Sequence, residues 1–477
     1  MSGSERSAWV DPLTERYASA EMSRIFSPAF KFGSWRRLWI WLAEEEKTLG
    51  LPISDEAIAQ MHRHAASIDF DAAAKIESDT RHDVMAHVKT YGLAAPAAAG
   101  IIHWGATSAY VSDNGDLIQM REALGLLEKR IASFLRHLRG FADRYKALPC
   151  LAYTHFQTAQ PTTVGKRACL WAQDFLWDLQ EIRRVRENLR FLGAKGATGT
   201  QASFLALFDG DGAKVDALDR AVTARAGFTK RQTVSGQTYS RKQDAFVLAA
   251  LSGLAQSAHK CATDLRLLQH EGEIAEPFGK SQIGSSAMPY KRNPMRAERV
   301  CAIARHLIVL SLDPAFTAAT QWLERTLDDS ANKRLSIPPA FLCADAIALV
   351  LDEIFAGIEV REYVIRQHLE REVPFLAMEN VLMEAVKRGR DRQAVHETLK
   401  LLAITALEAR ERTGEADLAG WVKSTADDTG LTIEQVHAAA AKDLTGRAAD
   451  QVDAFLREEL DPALAAVEAV APEGLRV

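Results

Sequence analysis

The chain has little of several things that would announce a function. Its 477 residues hold five cysteines, Cys150, Cys169, Cys261, Cys301 and Cys343, widely spaced and with no CxxC pair. An odd, scattered set argues against a disulfide framework and against a zinc site, and favours a reducing compartment. No stretch reaches about 18 uninterrupted apolar residues, so no membrane span is expected. Met1 to Val10 lacks an apolar segment followed by a cleavage site, so no signal peptide is expected and the cytoplasm is the expected location. Charge of one sign is missing too: 58 basic and 63 acidic residues leave a net charge of -5, which gives no reason to expect nucleic acid or a membrane as partner. Gly193, Gly196 and Gly199 form a glycine-rich turn, but no Gly-Lys-Ser/Thr follows, which excludes a P-loop. Asp209-Gly210-Asp211-Gly212 lacks the spaced ligands of an EF-hand and reads as a surface turn. No metal-ligand pattern, nucleotide-fold fingerprint or 20–50-residue repeat is present, so neither a metal nor a cofactor is expected.

Helical periodicity is abundant. From Asp116 to Lys146, Leu117, Met120, Leu124, Leu127, Ile131, Phe134, Leu138 and Phe141 recur at spacings of three and four, one apolar stripe on one long helix. Similar stretches run over about 163–192, 241–268 and 294–312. Helices of this length need partners along their whole extent, which predicts an all-α bundle. The second stretch is apolar on more than one face, with Leu170, Trp171, Phe175, Leu176, Trp177, Leu179, Ile182 and Val185, so a homo-oligomer is expected to cover it. Breaks near Ala95-Pro96 to Gly105 and near Gly357 to Glu359 divide the chain into an N-terminal helical domain (1–107), a central long-helix domain (108–360) and a C-terminal helical domain (361–477).

Five segments carry candidate chemistry. Gly284-Ser285-Ser286-Ala287-Met288-Pro289-Tyr290-Lys291-Arg292-Asn293-Pro294 offers a hydroxyl among small residues, then two cations, then a helix start with Asn293 as cap and Pro294 at the first position. Such a pair of features suits proton abstraction beside a carboxylate. Thr154-His155-Phe156-Gln157 supplies an imidazole, which titrates near neutrality and can protonate a leaving nitrogen. Arg81-His82-Asp83-Val84-Met85-Ala86-His87 places His82 and Asp83 on one turn, with Arg81 available to an anion and His82 a possible partner for His155. His103-Trp104-Gly105-Ala106-Thr107-Ser108 presents two hydroxyls near a helix start. The polar, loop-like stretch from Gln321 to Arg334 carries Arg325, Ser330 and Arg334, whose guanidinium forks suit phosphate or carboxylate. Each segment alone also fits a plainer role as a loop, a cap or a solvated face. Together they fit elimination on a polyanionic substrate.

The string from Gly284 to Pro294 resembles the signature loop of the fumarase/aspartase superfamily, and its Met-Pro-Tyr-Lys-Arg-Asn-Pro form is similar to that of the adenylosuccinate lyase family. The resemblance runs from Arg16-Tyr17 to Thr445-Gly446-Arg447, through Thr198-Gly199-Thr200-Gln201-Ala202-Ser203 and Ser235-Gly236-Gln237-Thr238-Tyr239-Ser240-Arg241. It leans to the animal-type branch through Arg-His-Asp-Val-Met-Ala-His and Glu-Arg-Thr-Leu-Asp-Asp-Ser-Ala-Asn. It implies an all-helical homotetramer of three-domain subunits whose active sites each take residues from three subunits. The implied reactions release fumarate from adenylosuccinate, giving AMP, and from SAICAR, giving AICAR. By matching motif it implies Ser285 as catalytic base, His155 as general acid, His82 beside that acid, Lys291 against the developing charge, and Glu298 near the loop. Implied substrate contacts are Arg16 and Tyr17 on the phosphate side, and Arg81, Asp83, Thr107, Ser108, Gln237, Arg299, Arg325, Ser330 and Arg334. One departure is Thr158, where many relatives carry Pro. Argininosuccinate lyase or fumarase activity is the rival enzymatic reading, and a non-catalytic helical scaffold the rival of another class; Tyr290-Lys291-Arg292 and the Arg325/Arg334 stretch favour the purine substrate.

Overall fold

The computed structural model describes residues 9–279, 281–414, 418–470 and 473–475; most of the Met1–Val10 segment on which a leader was sought lies outside them. A π-helical turn at Leu13–Tyr17 leads into α1 (Ala20–Ile25), α2 (Pro28–Thr48), α3 (Asp55–Arg63), α4 (Phe70–Thr80) and α5 (Asp83–Ala94). Then come α6 (Ser108–Arg144), a hairpin of β1 (Pro149–Thr154) and β2 (Gln157–Thr163), α7 (Val164–Asn188), α8 (Ala202–Leu207), α9 (Gly212–Arg225) and α10 (Lys242–His270). Strand β3 (Ile274–Ala275) precedes α11 (Met295–Leu310), α12 (Asp313–Ala319), α13 (Asp328–Gly357) and β4 (Glu359–Val360). The chain finishes with α14 (Glu362–Lys387), α15 (Arg392–Thr413), α16 (Leu418–Thr429), α17 (Ile433–Ala440), α18 (Ala448–Phe455) and α19 (Asp461–Ala465). The architecture is all-α, as the periodicity predicts.

The stripe from Leu117 to Phe141 is buried at every position, packed between α7 and α13. At roughly 1.5–3 kcal/mol for each large apolar side chain buried, such a stripe outweighs any weakness in local propensity. Helix α6 starts eight residues earlier than the periodicity predicts, because Asp113 and Asn114 are buried in polar contacts and interrupt the apolar pattern. One hydrophobic core runs from Ala18 to Val467 and joins α2, α6, α7, α10, α11, α13 and the α18–α19 segment. A second, smaller core gathers Val381, Leu382, Val395, Leu399, Trp421 and Val436 among α14–α17. Of the apolar residues on α7, Leu170 and Trp177 remain 51% and 56% exposed in the single chain. The stretch Met295–Ala319 reaches a mean hydropathy of 1.4, apolar enough by length and composition to cross a membrane. Here it breaks between α11 and α12, and Ala297, Val300, Cys301, Ala304 and Leu307 face the bundle.

Two local expectations need correction. Asn293 does not cap α11 and Pro294 is not its first residue: the helix begins at Met295 with Pro294 preceding it. The Asn293 amide instead donates to the Gly284 carbonyl at 2.9 Å, while the buried Glu276 carboxylate accepts from the N–H groups of Arg296 (2.9 Å) and Ala297 (3.0 Å). An acidic side chain from elsewhere in the chain does the capping. The second is the stretch to Arg334, which is loop only to Leu327. Ser330 and Arg334 sit on the first turns of the 30-residue α13, whose acidic start at Asp328-Asp329 complements the helix dipole. Its charges, and Pro338-Pro339 within it, concealed the helix. By contrast Asp211 does lie in a turn, where its carboxylate accepts from Ala213 and Lys214 N–H at the start of α9.

Candidate active site

One group of predicted residues meets where α5, α6 and α13 all begin. His82 precedes α5 and accepts at Nδ1 from the Met85 N–H (3.3 Å), which leaves Nε2 facing the Ser108 hydroxyl at 3.3 Å. Asp83 turns one carboxylate oxygen to the Val84 N–H and the other to Arg334 Nη2 at 3.2 Å. Thr107 stands at the N-cap of α6 without capping it, so its hydroxyl and the first N–H groups of the helix remain available to an anion. Arg81 ends α4 in the left-handed region, with φ of 56°, and is exposed.

His103, not among the predicted contacts, stands behind this group. Its Nδ1 accepts from the Trp39 indole at 2.9 Å, which assigns the proton of the neutral ring to Nε2. Burial, with the nearby His82, pushes His103 down to about 4, so it stays neutral near pH 7. Its place in the same short segment as Thr107 and Ser108 was the available signal. His87 is likewise pushed down to about 4 by burial and lies stacked on Phe32, a core residue.

The Gly-rich turn, the Gln237 segment and the Arg325 segment are drawn together by backbone contact that excludes side chains. A Cβ on Gly199 would lie 1.8 Å from the Ser235 carbonyl, and one on Gly236 2.4 Å from the Glu324 carbonyl. Gln237 N–H donates to Glu324 O at 3.1 Å, and Arg325 Nη1 to Gln237 Oε1 at 2.7 Å. Beneath them lies a buried charge network that sequence reading missed. Arg241 joins Asp113 (3.0 Å) to Asp329 (2.6 Å), and Lys333 joins Asp113 (2.9 Å) to Asp116 (2.7 Å). Burial pushes the Asp113 carboxyl up, but Arg241 and Lys333 overcome this and hold it at about 2. Asp329 and Lys333 lie on the α13 turn that carries Ser330 and Arg334, so the network fixes where those side chains start.

The serine loop lies at the other end of the bundle. A Cβ on Gly284 would meet the Lys291 carbonyl at 2.0 Å, so glycine and the Asn293 bond cinch the loop into a closed turn. Inside it, Ser285 Oγ accepts from the N–H groups of Ala287 (3.3 Å) and Met288 (3.0 Å). Two donors aimed at one oxygen favour its anionic form, which a serine base requires. Lys291 is exposed, and its ammonium makes no hydrogen bond or ion pair among the described residues.

His155 occupies the tip of the β1–β2 hairpin, an element not anticipated from the sequence. Thr154 pairs with Gln157, leaving His155 (φ 53°) and Phe156 (φ 55°) as a two-residue turn. Left-handed conformation costs about 1–2 kcal/mol per non-glycine residue, and strain of this kind collects at functional sites. Thr158, the departure from Pro, pairs with Tyr153 and is accommodated in the ladder. A cavity of about 770 Å³ beside the hairpin is lined by Thr154, Phe156, Gln160, Lys166, Arg167 and Arg447, among others.

A further group lies part-way along α13, where Tyr17, Glu298 and Arg299 border a cavity of about 450 Å³ and the Arg299 guanidinium stands 5.5 Å from the Tyr17 ring. Arg16 is exposed beside them. Within one chain these groups do not converge. His82 and His155 stand at opposite ends of α6, about 55 Å long from its 37 residues, so the expected pairing of the two does not form inside a subunit.

An all-α bundle of long helices bearing a serine loop closed at a glycine, a strained histidine tip and arginine-bearing helix starts defines the class. A family model described as lyase matches residues 22–308. A solved fumarate lyase from Mesorhizobium sp. BNC1 superposes with a TM-score of 0.80 over 95% of this chain and 99% of that one, at 21% identity, a likeness of fold. The chain is an enzyme of the lyase class, within the fumarase/aspartase superfamily. It is 47% identical over 470 residues to adenylosuccinate lyase of Schizosaccharomyces pombe, covering 98% of both chains. It is 50% identical over 461 residues to that of Saccharomyces cerevisiae, covering 96% of this chain and 95% of the relative. The chain belongs to the adenylosuccinate lyase family.

Proposed function

We propose that this chain releases fumarate from adenylosuccinate, giving AMP, and from SAICAR, giving AICAR, by β-elimination in the cytoplasm. The observation that carries the reading is the Ser285 oxygen held by two backbone N–H groups in a cation-bearing loop. Ser285, as alkoxide, removes the proton from the succinyl carbon next to the carbon that bears nitrogen. The electrons first spread into the adjacent carboxylate, where Lys291, the Thr107 and Ser108 hydroxyls and the open α6 N-terminus offset the charge. They then form the new C=C bond as the C–N bond breaks, and His155 delivers a proton to the departing nitrogen. His82, oriented by Met85 N–H and Ser108, lies beside that acid. Arg16, Tyr17, Arg81, Asp83, Gln237, Arg299, Arg325, Ser330 and Arg334 hold the rest of the substrate, and Glu298 supports the loop.

The site is assembled in a homotetramer, each centre drawing the α6-start group, the hairpin tip and the serine loop from three subunits. The separation of these groups within one chain supports this, as do the exposed Leu170 and Trp177 on the central helix α7. Five free, buried cysteines accord with a reducing compartment. The test is absorbance-monitored turnover by the purified protein. Fumarate release from adenylosuccinate, and not from argininosuccinate or malate, is the expected result; no release from adenylosuccinate overturns the reading.

A further inference from the structure

The turn after Arg16 and Tyr17 is held by an unusual pair of bonds. Two successive backbone N–H groups each donate to a carboxylate from a distant part of the chain: Ser19 N–H to Asp345 Oδ2 at 2.7 Å, and Ala20 N–H to Glu473 Oε1 at 3.0 Å. One guanidinium serves both acids. The buried Arg130 on α6 lies 2.8 Å from Glu473 Oε2 and 3.8 Å from Asp345 Oδ1. Asp345 is fully buried in the middle of α13, whereas Glu473 arrives from the segment after α19. That segment is itself tied along α6. Arg136 Nη2 donates to the carbonyls of Leu464 (3.1 Å) and Val467 (2.6 Å), Lys129 pairs with Glu468 at 3.0 Å, and Val470 and Leu475 pack against the main core.

We propose that Glu473 is a positioning residue for substrate binding: the C-terminal segment, through Glu473 and Arg130, sets the backbone that presents Arg16 and Tyr17 to the substrate phosphate. The proposal rests on the reading of Arg16 and Tyr17 as phosphate contacts. Ser19 caps α1 through its bond to Met22 N–H at 2.9 Å, so the carboxylate pair fixes both the entry to that helix and the exit from the Leu13–Tyr17 turn. Charge-assisted bonds to backbone N–H groups are the stronger kind, and a turn so held presents its side chains without further ordering on binding.

The test compares the inhibition constants of the two products on the full-length enzyme. AMP reports the phosphate side and fumarate the elimination side. Glu473→Ala should raise KM for adenylosuccinate and weaken AMP inhibition about tenfold, with kcat within about twofold and fumarate inhibition unchanged. Glu473→Gln, which keeps an oxygen for Ala20 N–H but loses the charge, should show an effect of about threefold, and it carries the comparison if the alanine variant does not fold. Equal weakening of AMP and fumarate, or no change in either, overturns the positioning role. Arg16→Ala separates the two levels: loss of AMP affinity there but not in the Glu473 variants removes the tail alone, and no loss in any of them removes the phosphate reading with it.

Discussion

The polar cluster at the start of α6 and the serine loop beyond α10 differ in how their side chains are held. Around Ser108, His82, Asp83 and Arg334 engage one another, and the segment beneath them is pinned by buried ions. In the serine loop the closing contacts are the glycine approach and the Asn293 amide on the Gly284 carbonyl, while Lys291, Tyr290 and Met288 are exposed; at the hairpin tip His155 is exposed on a strained turn. The first region is held together by contacts within the chain, whereas the second leaves Lys291 and His155 exposed. On the proposed function, the substrate-holding groups sit at the rigid end and the proton-transferring Ser285 and His155 on the exposed one.

Four changes test that division, from the largest expected effect down. Ser285→Ala should lower kcat by about 10³-fold or more while calorimetry still detects adenylosuccinate binding, since general base catalysis is worth about 10²–10⁴ and the binding groups lie elsewhere. Normal turnover in this variant would remove Ser285 from the reaction. Arg241→Ala acts at the rigid end, leaving Asp113 and Asp329 buried without their shared cation. A destabilisation of about 3–5 kcal/mol is expected, read as a lower thermal midpoint; an unshifted midpoint would mean the network is dispensable.

Gly284→Ala strikes the loop by forcing a methyl group against the Lys291 carbonyl. We expect kcat to fall about 10–100-fold with thermal stability nearly intact, because the loop is outside the core; a large loss of stability would show the loop to be structural. The smallest effect concerns Glu46, buried at the inner side of α2 with neither carboxylate oxygen bonded among the described residues, whose pKa burial raises to about 9. A raised folded-state pKa means its penalty is absent below the unfolded value of about 4.3 and grows as pH rises toward 9. Glu46→Gln should therefore gain thermal stability by a few degrees at pH 8 and nothing at pH 4. A pH-independent difference would contradict this. Asp113 works in the opposite sense: its stabilising contribution is full above about 3.9 and is lost as pH falls toward 2.

Most of the architecture could be read directly. The long helices announced themselves because apolar residues at spacings of three and four must face a partner, and 163–192, 241–268 and 294–312 agree closely with α7, α10 and α11. The elements that escaped notice were those whose local signal is weak or misleading. The β1–β2 hairpin is short, its second strand is polar with Pro161 inside it, and its turn uses His-Phe instead of the Asn-Gly type that marks such loops. The first turns of α13 are so charged that they imitate a surface loop until Asp329 and Lys333 are seen buried against Arg241 and Asp113. Glu276 as a cap and His103 behind His82 depend on partners 20 and more residues away, which no local pattern reports.

From the order of its residues alone this chain determined the helical class, the serine loop and the kinds of chemical group available, since periodicity and residue type are local properties. Tertiary packing decided which of those groups meet. Arg241, Asp113 and Lys333 become one network, Glu473 returns to the turn after Tyr17, and His82 and His155 end up at opposite ends of one helix, because helices of about 40–55 Å, once packed side by side, carry neighbours in sequence far apart and bring distant segments together.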